Sequence, residues 1–201
     1  MSVPCPRCGR DYDVALFQFG RTIHCTCGSR VGLEPRVRGI RAGDDVRFIV
    51  DAMLGRLARW LRILGSDVAF EIDIPDAVLV RRALEEERVI LTRDRALTEE
   101  WRVPRILIVE SEAPLTQLQQ VVGAFGLDWE ARLFTRCSRC NTVLTAVTRE
   151  HAAALVPPRI LSEHERFLRC ASCGRVYWGG SHSARMRQVL EGALGAAPRG
   201  R

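Results

Sequence analysis

The stretch RFIVDAMLGRLARWLRILG, residues 47–65, places a strand, an acid and an amphipathic helix in immediate succession. The apolar run at residues 48–50 is typical of a buried strand, and Asp51 follows it directly. Leucines and alanines then recur at helical spacing over residues 52–64, and Gly65 is a typical helix end. The stretch therefore predicts the first strand and helix of an α/β domain.

The alternation of strand and helix signals continues to about residue 130. We predict further strands at residues 68–71, 89–92 and 105–109, and helices at residues 76–87 and 114–125. Unbroken aliphatic strands separated by helices indicate a parallel sheet with helices on both faces.

The chain of 201 residues carries a net charge of +6, and its sequence pI is about 9.2. It contains no lysine, so all 30 basic residues are arginine. Arginine suits phosphate contacts because its guanidinium group binds two oxygens at once, although codon bias of a GC-rich genome would have the same effect. No run of about 18 apolar residues predicts a membrane span, and the N-terminus lacks a signal-peptide pattern. We therefore expect a cytoplasmic protein, with nucleic acid as a candidate partner.

The eight cysteines form four close pairs, and a reducing compartment favours metal binding over disulfides for such pairs. Two pairs together supply the four thiolates of one tetrahedral structural zinc site, so the four pairs predict two such sites. The first site uses Cys5, Cys8, Cys25 and Cys27, and the second uses Cys137, Cys140, Cys170 and Cys173. His24 is an alternative ligand at the first site, and iron–sulfur or redox chemistry is an alternative for both.

Three acids are predicted at one edge of the sheet. Asp51 comes directly after one strand, and Asp94 lies two residues beyond the end of another. Asp76 lies in the first turn of a helix that opens toward the same edge, with Asp73 close by. Carboxylates brought together there would repel one another unless a cation held them, and Mg²⁺ or Mn²⁺ prefers such oxygen ligands. The alternative for each acid is an ordinary helix cap or, for Asp94, an ion pair with Arg93 or Arg95.

Arg56, Arg59 and Arg62 recur every three residues on the first predicted helix, opposite its leucines. This pattern is typical of the solvated face of an amphipathic helix, but beside a metal site the three guanidinium groups could bind substrate phosphates. Arg93 is a further candidate for phosphate binding. In the second cysteine unit, the aromatic residues of the segment YWGGSH, residues 177–182, could stack on bases or pack in a core, and its histidine could face the active cleft.

Four segments, FIVDAMLGRLARWLRILGSD, RVILTRDRAL, RCSRCNTVL and RCASCGRVYWGGSH, resemble in the same order the PIN-like ribonuclease family known from the Mut-seven C-terminal domain. The resemblance covers residues 47 to about 188. It implies a metal-dependent RNase with a PIN-type α/β domain and a zinc ribbon, and it assigns the PIN-type acids to Asp51, Asp76 and Asp94. The family's frequent fourth acid is missing directly after the third, and Asp73, Glu99 or Glu110 could replace it.

The resulting hypothesis is a Mg²⁺- or Mn²⁺-dependent ribonuclease with RNA as its substrate. Its α/β fold comprises a PIN-like sheet and two small β-rich zinc ribbons. We predict a zinc-ribbon-like unit at 1–38, a nuclease domain at 47–130, a zinc ribbon at 134–188 and a flexible tail at 189–201. A protein inhibitor and the ribosome are further candidate partners. One alternative is a non-catalytic zinc-ribbon protein that binds RNA or ribosomes on a PIN-like scaffold, and another is a redox or metal-handling protein.

Overall fold

The computed structural model of the chain describes residues 2–33 and 45–195. Within them the strands are, in chain order, β1 (Ser2–Pro4), β2 (Asp11–Asp13), β3 (Ile23–His24), β4 (Arg30–Val31), β5 (Arg47–Val50), β6 (Asp67–Phe70), β7 (Val89–Thr92), β8 (Ile106–Ile108), β9 (Leu144–Val147), β10 (Phe167–Cys170) and β11 (Val176–Trp178). The α-helices are α1 (Gly55–Ile63), α2 (Asp76–Glu85), α3 (Ala96–Glu100), α4 (Pro114–Phe125), α5 (Trp129–Arg132), α6 (Arg149–Ala153), α7 (Pro158–Glu163) and α8 (Ser181–Leu194). Short 3-10 helices span Val14–Gly20 and Ala52–Leu54.

The aliphatic runs form a four-stranded parallel sheet in the order β6-β5-β7-β8. In its register Ile49 lies opposite Ile90, and Leu91 lies opposite Leu107. The side chains of β7 and those of residues 48–50 are buried. Strands of a parallel sheet are buried on both faces, which explains why these runs lack polar alternation. The predicted α/β class with a parallel sheet is confirmed.

The chain divides into two units, one of Met1–Gly55 with Ala69–Glu110 and one of Arg56–Val68 with Ser111–Arg201. In the first unit α2 packs against β5 and β7. One buried core cluster there consists of Ile49, Ala69, Leu79, Val80, Ala83, Ile90, Leu97 and Trp101. Leu97 of α3 and Trp101, which directly follows this helix, both belong to the cluster and fix α3 to the sheet.

The N-terminal cysteine unit belongs to the first of these units and is built from two antiparallel strand pairs, β1 with β2 and β3 with β4. The carboxylate of Asp13 caps the 3-10 helix between them by accepting a hydrogen bond of 2.8 Å from the Ala15 N–H. A small core of Cys5, Phe17, Cys25 and Val31 lies inside it.

The C-terminal cysteine unit contains a three-stranded antiparallel sheet in the order β11-β10-β9. A second small core beside it includes Ala152, Val156 and Phe167, with Trp178 packed against them. The small antiparallel sheets at both cysteine units confirm the predicted β-rich character of these units.

The predicted flexible tail at 189–201 differs from the structure over its first part. Residues 189–194 belong to α8, where Leu190 is fully buried and the Ala193 carbonyl accepts a hydrogen bond of 2.5 Å from Gln119 Nε2. Residues 196–201 of that tail and 34–38 of the first predicted unit lie outside the described residues. None of the helices in the described part of the chain is long and apolar enough to cross a membrane.

Candidate active site and metal centres

Asp51 directly follows β5, and its carboxylate reaches the neighbouring strand β7. Its backbone N–H continues the ladder by donating to the Leu91 carbonyl over 3.0 Å. Its Oδ2 accepts a hydrogen bond of 2.5 Å from the hydroxyl of Thr92, the last residue of β7. Although Asp51 stands at the N-cap of the 3-10 helix Ala52–Leu54, its side chain makes no capping bond. The Asp51 carboxylate therefore does not cap this helix, which is the alternative role that the sequence allows for it.

Thr92 connects Asp51 with Asp94 through one hydroxyl group. Its side chain is fully buried, at 0% exposure. Oγ1 donates to Asp51 and accepts a hydrogen bond of 2.9 Å from the Asp94 backbone N–H. Asp94 Oδ1 in turn accepts a hydrogen bond of 2.8 Å from the Ala96 N–H, which opens α3. The two acids therefore lie at the ends of adjacent parallel strands and share a buried support.

Asp76 is the first residue of α2 and follows Pro75, which occupies the N-cap position. Partial desolvation raises the pKa of the Asp76 carboxyl above its ordinary value of 3.8, and the negative charges of Asp51, Asp94 and Glu100 raise it further. The hydrogen bonds of Thr92 place Asp51 beside Asp94, and α3, which Asp94 caps, ends at Glu100. We refer to the four residues together as the acidic site.

Glu100 is not among the fourth acids predicted from the sequence, which are Asp73, Glu99 and Glu110. Glu100 is the last residue of α3 and lies four positions after Ala96, whose N–H binds Asp94. Residues four positions apart share one face of a helix. This spacing was the signal in the sequence that could have identified Glu100.

In the described part of the chain, the acids of the acidic site form no ion pairs with cationic side chains. No ion pair within residues 2–33 and 45–195 involves Asp51, Asp76, Asp94 or Glu100. The acids are also not drawn together as tightly as the ligands of a single ion. Over the same described residues, the groups of three or more candidate ligand atoms that all lie within 4.8 Å of one another are the two cysteine sets. Oxygen-only donors that repel one another suit a hard divalent cation such as Mg²⁺ or Mn²⁺.

The structure corrects one of the three phosphate-binding arginines predicted on α1. Arg56 and Arg59 are exposed, but Arg62 retains only 6% exposure. Its Nε and Nη2 donate to the Val68 carbonyl over 3.0 and 2.8 Å, and its Nη1 donates to the Arg139 carbonyl over 2.7 Å. Arg62 is thus a buried structural residue, and its guanidinium group is not available for substrate phosphates. Arg93 lies half-buried.

The first cysteine set, Cys5, Cys8, Cys25 and Cys27, could hold a zinc ion. The Sγ atoms of Cys5 and Cys27 lie 3.6 Å apart, and those of Cys8 and Cys25 lie 3.5 Å apart. These separations are close to the roughly 3.8 Å between sulfurs of a tetrahedral site with zinc–sulfur bonds of about 2.3 Å. Hydrogen bonds from the Cys27 backbone and from the Tyr12 hydroxyl lower the pKa of the Cys25 thiol to about 5. The exposed His24 is not part of this group.

The second cysteine set, Cys137, Cys140, Cys170 and Cys173, could hold another zinc ion. Its Cys137 and Cys173 sulfurs are 3.8 Å apart, too far for a disulfide. Burial raises the pKa of the Cys137 thiol, but hydrogen bonds from the Tyr177 hydroxyl and from backbone N–H groups outweigh it and lower the pKa to about 6. Thiolates held in this way are the form that binds zinc.

The aromatic residues of β11 have structural contacts of their own. The Tyr177 hydroxyl lies 3.0 Å from Cys137 Sγ, and Trp178 packs against the core beside the three-stranded sheet. Of the two predicted roles for these aromatics, packing therefore describes their contacts better than stacking on bases. His182 is exposed in the first turn of α8.

Comparison with known proteins gives one family. The model of the Mut7-C RNAse domain matches residues 46–190, which is more than half of the chain. The match includes the acidic site and the second cysteine set, and it leaves the first cysteine set outside. Searches of curated proteins and of solved structures gave no match.

Proposed function

The chain belongs to the Mut7-C RNase domain family, and from this membership we propose that it hydrolyses RNA phosphodiesters with Mg²⁺ or Mn²⁺ held at the acidic site. RNA as the substrate follows from the family's RNase activity. The metal dependence and the roles of individual residues are our proposal. Asp51, Asp76 and Asp94 are the proposed metal-binding acids, and Glu100 is the proposed fourth.

One observation carries this proposal: Asp51 and Asp94 lie at the ends of the adjacent parallel strands β5 and β7, and both bind the buried Thr92 hydroxyl. Partial desolvation and the charges of Asp51, Asp94 and Glu100 also raise the pKa of the Asp76 carboxyl. These acids have no ion pairs among residues 2–33 and 45–195. Like charges placed together in this way cost folding free energy, so a purely structural role explains their placement poorly. A bound divalent cation would remove the repulsion. It would also supply the usual chemistry of such sites, namely an activated water for in-line attack and stabilisation of the charge on the phosphate.

The residues around the acids have distinct proposed roles. Thr92 would orient Asp51 and Asp94 through its two hydrogen bonds. Arg93 would bind a substrate phosphate near the site, and the exposed Arg56 and Arg59 would bind the RNA backbone without regard to sequence. The two cysteine sets would hold zinc as structural ions, because four thiolates leave no coordination position for a substrate.

The proposal is tested with the Asp51→Asn and Asp94→Asn variants in an RNA cleavage assay with Mn²⁺ or Mg²⁺. Each substitution keeps the size of the side chain but removes a charged ligand. We expect the cleavage rate to fall by roughly 100-fold or more in each variant, as for loss of a group that acts directly in the reaction. Addition of EDTA to the unmodified protein should abolish cleavage.

The Asp11→Asn variant is the matched control, because Asp11 is an exposed aspartate on β2 and is not a member of the acidic site. It should cleave RNA at the unmodified rate. Cleavage that survives both Asp51→Asn and Asp94→Asn would contradict the proposed site. A protein that binds RNA but cleaves none with either metal would favour the alternative of a non-catalytic RNA-binding protein.

A further inference from the structure

The N-terminal cysteine unit holds the end of α3 through Thr22 and Arg30. The Thr22 backbone N–H donates to the Glu100 carbonyl over 2.7 Å, and its hydroxyl lies 2.8 Å from the carbonyl oxygens of both Glu99 and Glu100. Arg30 Nη2 donates to the Trp101 carbonyl over 3.2 Å, and Arg30 Nε donates to the Thr22 hydroxyl over 3.2 Å. The last carbonyls of a helix have no partners within the helix. The cysteine unit therefore supplies the hydrogen bonds that α3 lacks at this end.

A second contact lies just beyond α3. The Arg102 backbone N–H donates to the Gly20 carbonyl over 2.5 Å, and Arg102 Nη1 donates to the Gly32 carbonyl over 3.3 Å. Gly20 has φ +80°, and a Cβ added there would meet the Arg102 carbonyl oxygen at 2.8 Å. Only glycine allows this approach of the two backbones. Thr22 itself is buried, with 8% exposure.

Helix α3 has few other means of holding its position. It has five residues, too short for a helix to be stable by itself. The N-cap residue Arg95 makes no side-chain capping bond, so the N-terminal end depends on the hydrogen bond between Asp94 and Ala96. Leu97 anchors its middle in the core. Of the acidic site, Asp94 thus lies just before α3 and Glu100 is its last residue. The cysteine unit binds the C-terminal end of this short helix.

The residues that bind α3 flank half of the first cysteine set. Strands β3 and β4 pair with Ile23 opposite Val31, and the turn between them contains Cys25 and Cys27. Thr22 precedes β3 and Arg30 belongs to β4. Strands of two residues are not stable without further support, and metal ligation of the turn would provide it.

We propose that the N-terminal cysteine unit positions the acidic site: through Thr22 and Arg30 it holds α3 so that Glu100 and Asp94 stay in place to bind the divalent cation. This inference rests on the proposed function. It assigns to a segment outside the matched family region a direct influence on the metal affinity of the family domain. Thr22 is thus a positioning residue, which acts on the cation through Glu100.

The test compares the Thr22→Val, Thr22→Ser and Thr26→Val variants of the full chain. Valine removes the Thr22 hydroxyl at nearly constant shape, serine restores it, and Thr26 is an exposed threonine of the same unit, between Cys25 and Cys27. We expect Thr22→Val to weaken Mn²⁺ binding, measured by calorimetric titration, by roughly five- to tenfold, the equivalent of one lost hydrogen bond. The turnover number for RNA should fall with an unchanged KM, and amide exchange of α3 should become faster. Thr22→Ser and Thr26→Val should match the unmodified protein.

A double-mutant comparison isolates Glu100. In a Glu100→Gln background, Thr22→Val should have little further effect on Mn²⁺ affinity, because the positioned carboxylate is already gone. If Thr22→Val binds Mn²⁺ as tightly as Thr26→Val while both retain their zinc, the inference is wrong and the cysteine unit only stabilises the fold. If the unmodified protein binds no Mn²⁺ at all, the proposed function and this inference both fail.

Discussion

A single buried hydroxyl, that of Thr92, contacts two carboxylate-bearing residues at the ends of adjacent strands. It donates to the side chain of Asp51 and accepts from the backbone of Asp94. Residues that orient metal ligands without touching the metal commonly contribute as much as the ligands do to precise geometry. A hydroxyl is required here, because valine has the shape of threonine but can neither donate nor accept these hydrogen bonds.

We predict that Thr92→Val lowers Mn²⁺ affinity and RNA cleavage by about 10- to 100-fold while the protein stays folded. Asp51 would lose its hydrogen-bond donor, and the Asp94 backbone N–H would lose its acceptor. Calorimetric Mn²⁺ titration and cleavage assays measure the effect. Thr145→Val, at an exposed threonine in strand β9, is the matched control and should change neither quantity. Equal metal affinity in both variants would show that Thr92 does not orient the acids.

The raised pKa of Asp76 gives the site a defined pH dependence. Desolvation and the charges of Asp51, Asp94 and Glu100 make Asp76 accept a proton at a higher pH than an ordinary aspartate. Protons then compete with the cation as the pH falls, so Mn²⁺ affinity should begin to decrease above the usual titration range of aspartate. Because the folded-state pKa lies above the unfolded value, the metal-free protein gains stability from Asp76 at low pH and loses it as the pH rises through the folded-state pKa.

Carboxyl NMR titration of Asp76 in the metal-free protein checks this prediction. Asp94→Asn removes one of the nearby charges, so it should move the pKa of Asp76 down toward its ordinary value of 3.8. The Asp11→Asn control should leave that pKa unchanged. A pKa that does not respond to Asp94→Asn would mean that the two carboxylates do not interact.

At the scale of elements, α1 shows what a helical sequence pattern can and cannot predict. The periodicity at residues 52–64 predicts a helix, and α1 together with the preceding 3-10 helix occupies this stretch. The same period places Arg62 with Arg56 and Arg59, yet Arg62 is buried against the carbonyl of Arg139, a residue 77 positions away in the chain. A periodic pattern contains no information on such a distant partner.

Arg62 therefore links α1 to the turn of the second cysteine set. We predict that Arg62→Met lowers the free energy of unfolding by about 2–3 kcal/mol, because the buried carbonyl of Val68 and the carbonyl of Arg139 would lose a charged donor while the side chain keeps its length. Denaturant unfolding measures the change. Arg59→Met, at an exposed position of the same helix, should change stability by less than about 0.5 kcal/mol. Equal effects of the two substitutions would contradict the structural role of Arg62.

At the scale of the whole molecule, local patterns in the sequence predict the sheet and the two cysteine sets well. Apolar runs, cysteine spacing and glycine turns depend on neighbouring residues, and both sets of four sulfurs meet as predicted. The four-residue spacing between Ala96 and Glu100 is the local signal that favours Glu100 over Glu99, because the choice depends on the face that α3 presents. Local patterns could not predict the hydrogen bonds of Thr22, because their acceptors lie 77 and 78 positions further along the chain.

The two kinds of proposed metal site differ in how closely the fold brings their candidate ligand atoms together. Each cysteine set already has its four sulfurs within 4.8 Å of one another, whereas the carboxylates of the acidic site are not gathered to that degree. We infer that the zinc sites contribute to folding, while the divalent cation completes the acidic site after folding. The sulfur sites and the oxygen site should thus take up different metals from the same solution.

A crystal structure of the protein grown with Mn²⁺ is the most direct test of the central claim, because anomalous diffraction distinguishes manganese from zinc. We predict an anomalous manganese peak in contact with the carboxylates of Asp51, Asp76 and Asp94, and a separate zinc peak within each cysteine set. Zinc peaks at both cysteine sets without any manganese peak at the three aspartates would contradict the account.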